Sequence, residues 1–174
     1  MSHHPIDAAL SGDAGDQSLR IRGIHPNDAG EVLTLQRAAF VQEAIIYDSV
    51  ESPTLTQTLE QVQAELHENL GCVALIGDRI VGAVRAERAG TLLLIGRLAA
   101  APDLQGLGIG SALLGAVEAR GAELGCDEAE LFTGSLSAAN LRLYEREGYR
   151  ETTRVDDGDG VQQVFLRKPL GRTG

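Results

Sequence analysis

Aromatic residues are scarce in this sequence, making up 3% of its 174 residues, with three Tyr, three Phe and no Trp. The hydrophobic core must therefore rest on Leu, Val, Ile and Ala. Long apolar runs are absent too, and none approaches the length of about 18 residues that a membrane-spanning helix needs. Residues 1–17 have neither the basic segment nor the apolar segment of a secretory signal. We therefore expect a cytoplasmic protein with no membrane partner.

Positive charge is also in short supply, because 15 Lys and Arg residues face 25 Asp and Glu residues and leave a net charge of −10. Such a chain lacks the broad basic surface that nucleic-acid binders need, so we expect no nucleic-acid partner. An anionic ligand is not excluded, since backbone amides can bind phosphate without a basic side chain. The acidic field would also attract a cationic acceptor such as a primary amine.

Cysteine and histidine are too few and too scattered to indicate a redox or metal site. Cys72 and Cys126 have no C-x-x-C spacing, and neither has a His at a recognisable motif distance. We expect both to be reduced, partly buried thiols. His3 and His4 have no third ligand nearby, so no metal cofactor is expected.

The length suits one domain with a sizeable core and leaves little room for two. Residues 1–18 are rich in Ser, Gly, Asp and Ala, which predicts a disordered N-terminal tail. A single domain is expected over residues 19–169, followed by a short C-terminal tail at 170–174. No internal repeat or linker divides the domain.

Hydrophobic periodicity predicts groups of strands and helices along the chain. Strands are expected at 19–22, 72–76, 80–86, 91–99, 130–133, 149–155 and 161–167, and helices at 31–44, 55–69, 108–124 and 138–147. The segment 91–95 is nearly all apolar, which is typical of a central strand buried on both faces. The helix after it should lead to a parallel neighbouring strand, as in a right-handed βαβ unit. The expected fold class is therefore α/β (α+β), with about four helices around a mixed sheet of six to seven strands.

A glycine-rich turn, Gln105-Gly106-Leu107-Gly108-Ile109-Gly110, lies between the central strand and the long helix. Glycine lets a backbone bend tightly and lets its N–H groups approach a ligand closely. The first N–H groups of a helix have no intrahelical partner and lie at the positive end of the helix dipole. Two interpretations fit these facts: a pyrophosphate site, or a plain tight connection between a strand and a helix.

Two familiar nucleotide-binding patterns do not fit the turn. A P-loop requires Gly-Lys-Ser/Thr, and no Lys lies nearby. A dinucleotide fingerprint requires G-x-G-x-x-G, but its third glycine position falls on Ser111 in one register and on Leu113 in the other. A third pattern, Gln-x-x-Gly-x-Gly, fits as Gln105, Gly108 and Gly110.

The surrounding sequence favours this third pattern. The stretch from Leu98 to Leu114, LAAAPDLQGLGIGSALL, closely resembles the signature of the GNAT superfamily of N-acetyltransferases. A second stretch from Asn140 to Tyr149, NLRLYEREGY, is similar to that family's Asn-x-x-x-Tyr-x-x-x-Gly-Phe/Tyr motif. The order of predicted elements also fits over residues 19–169. The resemblance implies a GNAT-like, mostly antiparallel sheet, with acetyl-CoA as the acyl donor and no metal.

The resemblance also implies which residues bind coenzyme A. In this family a bulge in the fourth strand separates it from the fifth and frees backbone groups for the pantetheine arm. Here that indicates Leu98, Ala99 and Ala100, and a glycine at Gly96 is consistent with a bulge nearby. Asn140 would contact the pantetheine or the leaving end of the cofactor. The amides of the turn would hold the pyrophosphate, with binding residues Gln105, Gly106, Leu107, Gly108, Ile109, Gly110 and Ser111.

Tyr144 is the general acid that the resemblance implies. Asn140 and Tyr144 are four residues apart and so share one face of the predicted helix. A phenol has a pKa of about 10, above that of a coenzyme thiol, so it is protonated at neutral pH and can donate to the departing thiolate. The structural alternative for Tyr144 is an amphipathic residue packed under the sheet. We expect Tyr149 to lie in the core.

The general base is harder to identify from the sequence. The implied mechanism is direct attack of an amine on the thioester, and the amine must first lose its proton. Some family members use a Glu on the fourth strand, but here that strand carries only Arg97. Glu43 is the candidate base, with Tyr47 four residues later on the same helix face and Asp48 beside it; a solvated polar face is the alternative. Glu130 is a further candidate.

The leading hypothesis is an acetyl-CoA-dependent N-acetyltransferase that acts directly on a primary amine. A non-catalytic acyl-CoA-binding module of the same fold is the alternative that the missing strand Glu keeps open. An adenine-nucleotide-binding module is a third hypothesis, disfavoured by the glycine registers. Small-molecule and peptide amines are both compatible as acceptors, and a homodimer is compatible with the family resemblance.

Overall fold

The computed structural model describes residues 18–158 and 160–171. The N-terminal tail predicted at residues 1–18, with His3 and His4, lies outside the described residues except for Ser18. At the other end, Leu170 is buried, and its N–H donates to the carbonyl oxygen of Asp127 at 2.7 Å. The packed domain therefore includes Leu170.

The strands of the described chain form one seven-stranded sheet with the spatial order β1-β2-β3-β4-β5-β7-β6. They are β1 Leu19–Gly23, β2 Cys72–Ile76, β3 Arg79–Ala89, β4 Leu92–Ala100, β5 Glu128–Gly134, β6 Arg150–Asp156 and β7 Gln162–Pro169. Every neighbouring pair is antiparallel except β4 and β5, which are parallel. The predicted mixed, mostly antiparallel sheet is confirmed, including the parallel pair on either side of the long helix.

Five α-helices accompany the sheet within the described residues: α1 Ala29–Tyr47, α2 Pro53–Thr56, α3 Leu59–Leu66, α4 Ile109–Glu123 and α5 Ala138–Arg146. The prediction of a single helix over 55–69 is wrong. The backbone becomes extended at Gln57, and Thr58 then caps α3 by accepting the N–H of Gln61. The Gln61 side chain in turn accepts the N–H of Thr58, and this capping box starts a new helix where periodicity alone indicated continuity.

Helices α1 and α4 cover opposite faces of the sheet. Gly82 of β3 faces α4, because a Cβ there would meet Ile109 at 2.5 Å. Arg85, three residues later and therefore on the other face, donates to Gln36 of α1. Buried apolar side chains fill both layers: Val32, Leu33 and Leu35 from α1, and Leu113, Leu114 and Val117 from α4. Leu124 was expected to face inward with the α4 set, but it ends the helix and is 43% exposed.

Cys72 and Cys126 are free and buried, as predicted. In the part of the chain that the structure describes, no group of three or more His, Cys, Asp or Glu residues could hold a metal ion. No helix within 18–158 and 160–171 has the length and apolar character to cross a bilayer.

The contact between α4 and the central strand yields a test of the packing. A Cβ at Gly121 would lie 2.6 Å from Cδ2 of Leu93, which is fully buried. We expect Gly121→Ala to lower the free energy of unfolding by about 1–2 kcal/mol, because overpacking outweighs the better helix propensity of Ala. Gly115→Ala in the same helix meets nothing within 4 Å and should instead raise it by about 0.5–1 kcal/mol. Urea denaturation measures both, and effects of the same sign would contradict this packing.

Candidate active site

A bulge interrupts β4 near the middle of the sheet. Two residues of β4, Arg97 and Leu98, lie opposite a single residue of β3, Val84. Arg97 has a φ of 53°, in the left-handed region that non-glycine residues rarely adopt. The bulge expected near Gly96 is therefore present, and Arg97 carries its unusual backbone conformation.

Strands β4 and β5 separate towards the bulged end of β4. Their parallel pairing covers only Leu92–Leu94 with Glu128–Glu130, and β5 continues to Gly134 paired with β7 alone. The edge of β4 that faces β5 therefore has no strand partner over residues 95–100, which include the three residues predicted to bind the pantetheine arm. Backbone groups along such an edge are available to an extended ligand.

The glycine-rich turn lies directly after this unpaired edge. Gly106 and Gly108 have φ values of 83° and 79°, and Gly108 is the N-cap of α4. A Cβ at either position would meet no atom within 4 Å, so the backbone conformation rather than crowding requires glycine. The first helical bond runs from the N–H of Ala112 to the carbonyl of Gly108. The N–H groups of residues 109–111 thus have no intrahelical partner and can bind an anion.

An ion pair holds the loop that leads into the turn. Arg79 of β3 binds Asp103 through two hydrogen bonds of 2.8 and 3.0 Å. The segment that follows is open to solvent, and Gln105 through Gly108 are all exposed. Residues 105–108 of the predicted turn therefore form an accessible surface at the end of β4, whereas the Ile109 side chain is buried.

A cavity of about 760 Å³ lies where β4 and β5 diverge. Helix α1, strands β3, β4 and β5, helix α5 and the turn between β6 and β7 all contribute to its walls. Its apolar lining includes Phe40, Leu94 and Phe132, and its charged lining consists of Glu43, Glu65, Glu87, Asp157, Arg85 and Arg97. A cavity of this size with a few convergent polar groups is typical of a small-molecule site.

Glu43 of α1 accepts two hydrogen bonds from the beginning of α5. The Ser137 hydroxyl donates to Oε2 at 2.7 Å, and the Asn140 amide donates to Oε1 at 3.2 Å. Because the Ser137 proton goes to Glu43, the Tyr47 hydroxyl, 2.6 Å from Ser137 Oγ, must be the donor in that contact. Glu43 and Tyr47 therefore share a helix face, as predicted, and they connect α1 to α5 across the gap between β4 and β5.

Tyr144 lies one helical turn after Asn140 and lines the same cavity. It is 7% exposed, and its hydroxyl has no hydrogen-bond partner among the residues that the structure describes. Burial raises the pKa of Tyr144 well above its usual range, and the negative charge of Glu43 raises it further. The phenol is therefore fully protonated at neutral pH.

Three residues considered from the sequence lie outside this cluster. Glu130, the further candidate base, accepts a hydrogen bond of 2.7 Å from Arg167 and does not line the cavity. Asp48 ends α1 in the left-handed conformation, with a φ of 49°. Tyr149 is in the core, as predicted, where it is 2% exposed and donates to Glu118 at 2.7 Å.

Ser137 and Arg85 are site residues that the sequence did not reveal. Ser137 occupies the N-cap position of α5, where a Ser normally binds the helix's own N–H groups. It makes no such cap bond, since its hydroxyl donates to Glu43. Arg85 lies among apolar residues of β3, and only the assembled fold shows that it lines the cavity.

The sequence and the structure of this chain are both similar to those of known acetyltransferases. The acetyltransferase (GNAT) family profile matches residues 35–149. PaiA N-acetyltransferase from Thermoplasma acidophilum, solved with coenzyme A, has a TM-score of 0.76 at 19% identity and covers 87% of this chain and 99% of its own. No curated protein matches the sequence.

Two further solved structures share the fold. The ribosomal-protein-S18-alanine N-acetyltransferase from Escherichia coli has a TM-score of 0.68 at 17% identity, covering 90% of this chain and 97% of its own. The yncA protein from Salmonella typhimurium, solved with acetyl-CoA, has a TM-score of 0.69 at 17% identity, covering 88% and 94%. The family match extends over most of the chain and includes the bulged strand, the glycine turn and the Asn140–Tyr144 helix. This chain belongs to the GNAT family of acetyltransferases.

Proposed function

We propose that this protein transfers the acetyl group of acetyl-CoA directly to a primary amine. The observation that carries the proposal is the meeting of three features at one cavity: the unpaired edge of β4, the Glu43 carboxylate and the Tyr144 phenol. They supply donor positioning, a base for the acceptor and an acid for the leaving group. The relatives solved with coenzyme A or acetyl-CoA support this choice of donor.

Backbone groups do most of the donor binding in this proposal. The N–H groups of residues 106–111 bind the pyrophosphate at the positive end of α4. The edge of β4 at residues 98–100 hydrogen-bonds the amides of the pantetheine arm, much as it would an added strand. Acetyl-CoA supplies an activated thioester carbonyl. Small residues suit these positions because the backbone itself must approach the ligand.

Glu43 is the proposed general base. An amine attacks only after losing a proton, because an ammonium group has no lone pair. Ser137 and Asn140 orient the Glu43 carboxylate, which also lines the cavity. An oriented carboxylate needs little rearrangement to accept the proton of an amine that enters the cavity.

Tyr144 is the proposed general acid, and its acidity is coupled to Glu43. Beyond the larger effect of burial, the charge of ionised Glu43 helps to keep the pKa of Tyr144 raised. When Glu43 accepts the proton of the amine, that charge disappears and the phenol becomes a stronger acid. Tyr144 then donates to the departing sulfur at the step that needs a proton. The acceptor ammonium thus gives one proton to Glu43 before attack. Its nitrogen loses a second proton as the tetrahedral adduct collapses, and that proton restores the one that Tyr144 gives to the sulfur. Glu43 then releases its proton to solvent, which leaves the amide and the free thiol.

A non-catalytic acyl-CoA-binding module is the competing function. Arg97 on β4, in place of a strand carboxylate, is the observation that favours it. Such a module would bind the donor without turning it over. Donor binding and turnover must therefore be measured separately.

Acetyl-CoA should raise the melting temperature of the protein, whereas NAD and ATP should not. A concentration a hundredfold above Kd adds about 2.7 kcal/mol of stability by linkage. Gly108→Val should abolish the rise, because Val is strained at a φ of 79° and its side chain would block approach to the backbone. Gly115→Ala, exposed on the same helix, is the control and should keep it. Stabilisation by NAD alone would contradict the proposed donor.

Tyr144→Phe should lower kcat by about 10²- to 10⁴-fold while leaving the affinity for acetyl-CoA nearly unchanged, because it removes only the proton donor. Release of free thiol with an amine acceptor measures turnover, and the melting-temperature rise measures donor binding. Tyr149→Phe removes the hydroxyl that binds Glu118 and should leave kcat unchanged. Full activity of Tyr144→Phe on a good acceptor would show that the acid assignment is wrong.

Glu43→Gln should lower kcat/KM by about 10²- to 10⁴-fold, because the amide cannot accept the proton. Glu130→Gln is the matched control, since that carboxylate binds Arg167 outside the cavity and its loss should not affect turnover.

Glu43→Gln should also lower the pKa of Tyr144, because it removes the nearby negative charge. The residual activity of Glu43→Gln should therefore begin to fall at a lower alkaline pH than that of the unmodified protein. An unchanged pH profile with full activity would rule Glu43 out.

A further inference from the structure

The cavity contains two guanidinium groups that the proposed mechanism does not use. Arg85 of β3 and Arg97 of the β4 bulge both line it. Burial lowers the pKa of Arg85, and the nearby charge of Arg97 lowers it further, against the opposing effect of Glu65. Arg85 lies opposite Gly96, the residue before Arg97, so the two cations are neighbours on adjacent strands of a protein whose net charge is −10. An anion bound beside two such cations would reduce their repulsion.

Arg85 is built into the wall of the cavity. It is 6% exposed, and its guanidinium forms an ion pair of 2.7 Å with Glu65 and a hydrogen bond of 2.9 Å to Gln36. A longer contact of 3.4 Å reaches Gln57. The buried Nε of Arg85 has no hydrogen-bond partner. A buried donor without a partner is unusual, and the cost of removing it from water is uncompensated in the protein alone.

Arg97, unlike Arg85, has no counterion among the described residues. It forms no ion pair or hydrogen bond with any other residue of the described chain, although it is half-buried. Its φ of 53° places it in a sparsely populated region of backbone conformation. Non-glycine residues held in this way concentrate at functional sites, where the surrounding structure maintains the strain.

The cavity lining carries charges of both signs. Glu65 pairs with Arg85, which leaves Arg97 without a counterion in the described chain. Glu43 lines the same cavity and is held by Ser137 and Asn140. Glu87 and Asp157 also line the cavity, but neither forms an ion pair with Arg97. One spare positive charge suits a carboxylate better than a phosphate, because the other acidic groups would repel a doubly charged anion.

We propose that the acceptor is an amino acid, whose carboxylate binds Arg97 beside the Arg85–Glu65 pair and whose amino group lies at Glu43. This inference rests on the proposed function, since it assigns the acceptor of the same reaction. A guanidinium binds a carboxylate through two parallel hydrogen bonds, which would orient the amine as well as attract it. The Arg97 that replaces a strand carboxylate then has a role in acceptor recognition rather than in proton transfer.

Matched acceptors test the proposal. Initial rates of thiol release at saturating acetyl-CoA are measured for the common α-amino acids and for the α-carboxamide of each. The carboxamide keeps the amine and the side chain but lacks the negative charge, and its amine is the less basic of the two. We expect at least one amino acid to have a kcat/KM about tenfold or more above that of its carboxamide.

Variants of Arg97 show whether this residue causes the preference. Arg97→Gln should raise KM for the preferred amino acid by about ten- to a hundredfold and leave KM for the carboxamide unchanged. Arg97→Lys keeps the charge and should retain part of the preference. Arg150→Gln, an exposed Arg on β6 outside the cavity, is the control and should behave as the unmodified protein. Arg97→Gln should also raise the melting temperature, because it removes the charge that repels Arg85.

Each negative result has a separate meaning. Equal kcat/KM for acids and carboxamides, or equal losses for both in Arg97→Gln, would overturn the amino-acid acceptor and leave the proposed acetyltransferase intact. Binding of acetyl-CoA without acetylation of any amino acid would overturn it too. No rise in melting temperature with acetyl-CoA and no thiol release with any amine would contradict the proposed function itself.

Discussion

The site depends on the point at which β4 stops pairing with β5. A parallel pair that continued past Leu94 would close the gap between the strands and bond the backbone edge that faces it. The bulge at Arg97 and Leu98 turns β4 away, and every later feature follows from that divergence. The cavity lies in the gap, the glycine turn follows the diverging strand, and Glu43 of α1, which lines this cavity, contacts Ser137 and Asn140.

Two pairs of cavity residues affect each other electrostatically, Glu43 with Tyr144 and Arg97 with Arg85. The negative charge of Glu43 adds to the effect of burial in raising the pKa of Tyr144. The positive charge of Arg97 adds to the effect of burial in lowering the pKa of Arg85. Only the repulsion between the two arginines is unfavourable for the protein alone, because the Tyr144 phenol is neutral. In the proposed reaction a proton on Glu43 makes the phenol more acidic, and an anion beside Arg97 relieves the repulsion.

Local patterns in the sequence predicted the strands, the long helix and the turn, because each depends on neighbours within a few residues. The division of the helix at Thr58 was not predicted, since a capping box with Gln61 can interrupt an apolar pattern that otherwise continues. The role of Ser137 could not be predicted either. Its partner Glu43 lies 94 residues away along the chain, and nothing local indicates that the hydroxyl leaves its own helix. Long-range pairings of polar groups depend on the assembled fold.

Ser137 binds Glu43 instead of the first turn of α5, so this nine-residue helix begins without a side-chain cap. Cap bonds of this kind contribute about 1 kcal/mol to helix stability. The beginning of α5 therefore depends on its connection to α1 for its order. Local opening at the beginning of α5 would break the hydrogen bonds that hold Glu43 and would displace Tyr144 with the helix. The proposed base and the proposed acid would therefore lose their positions together.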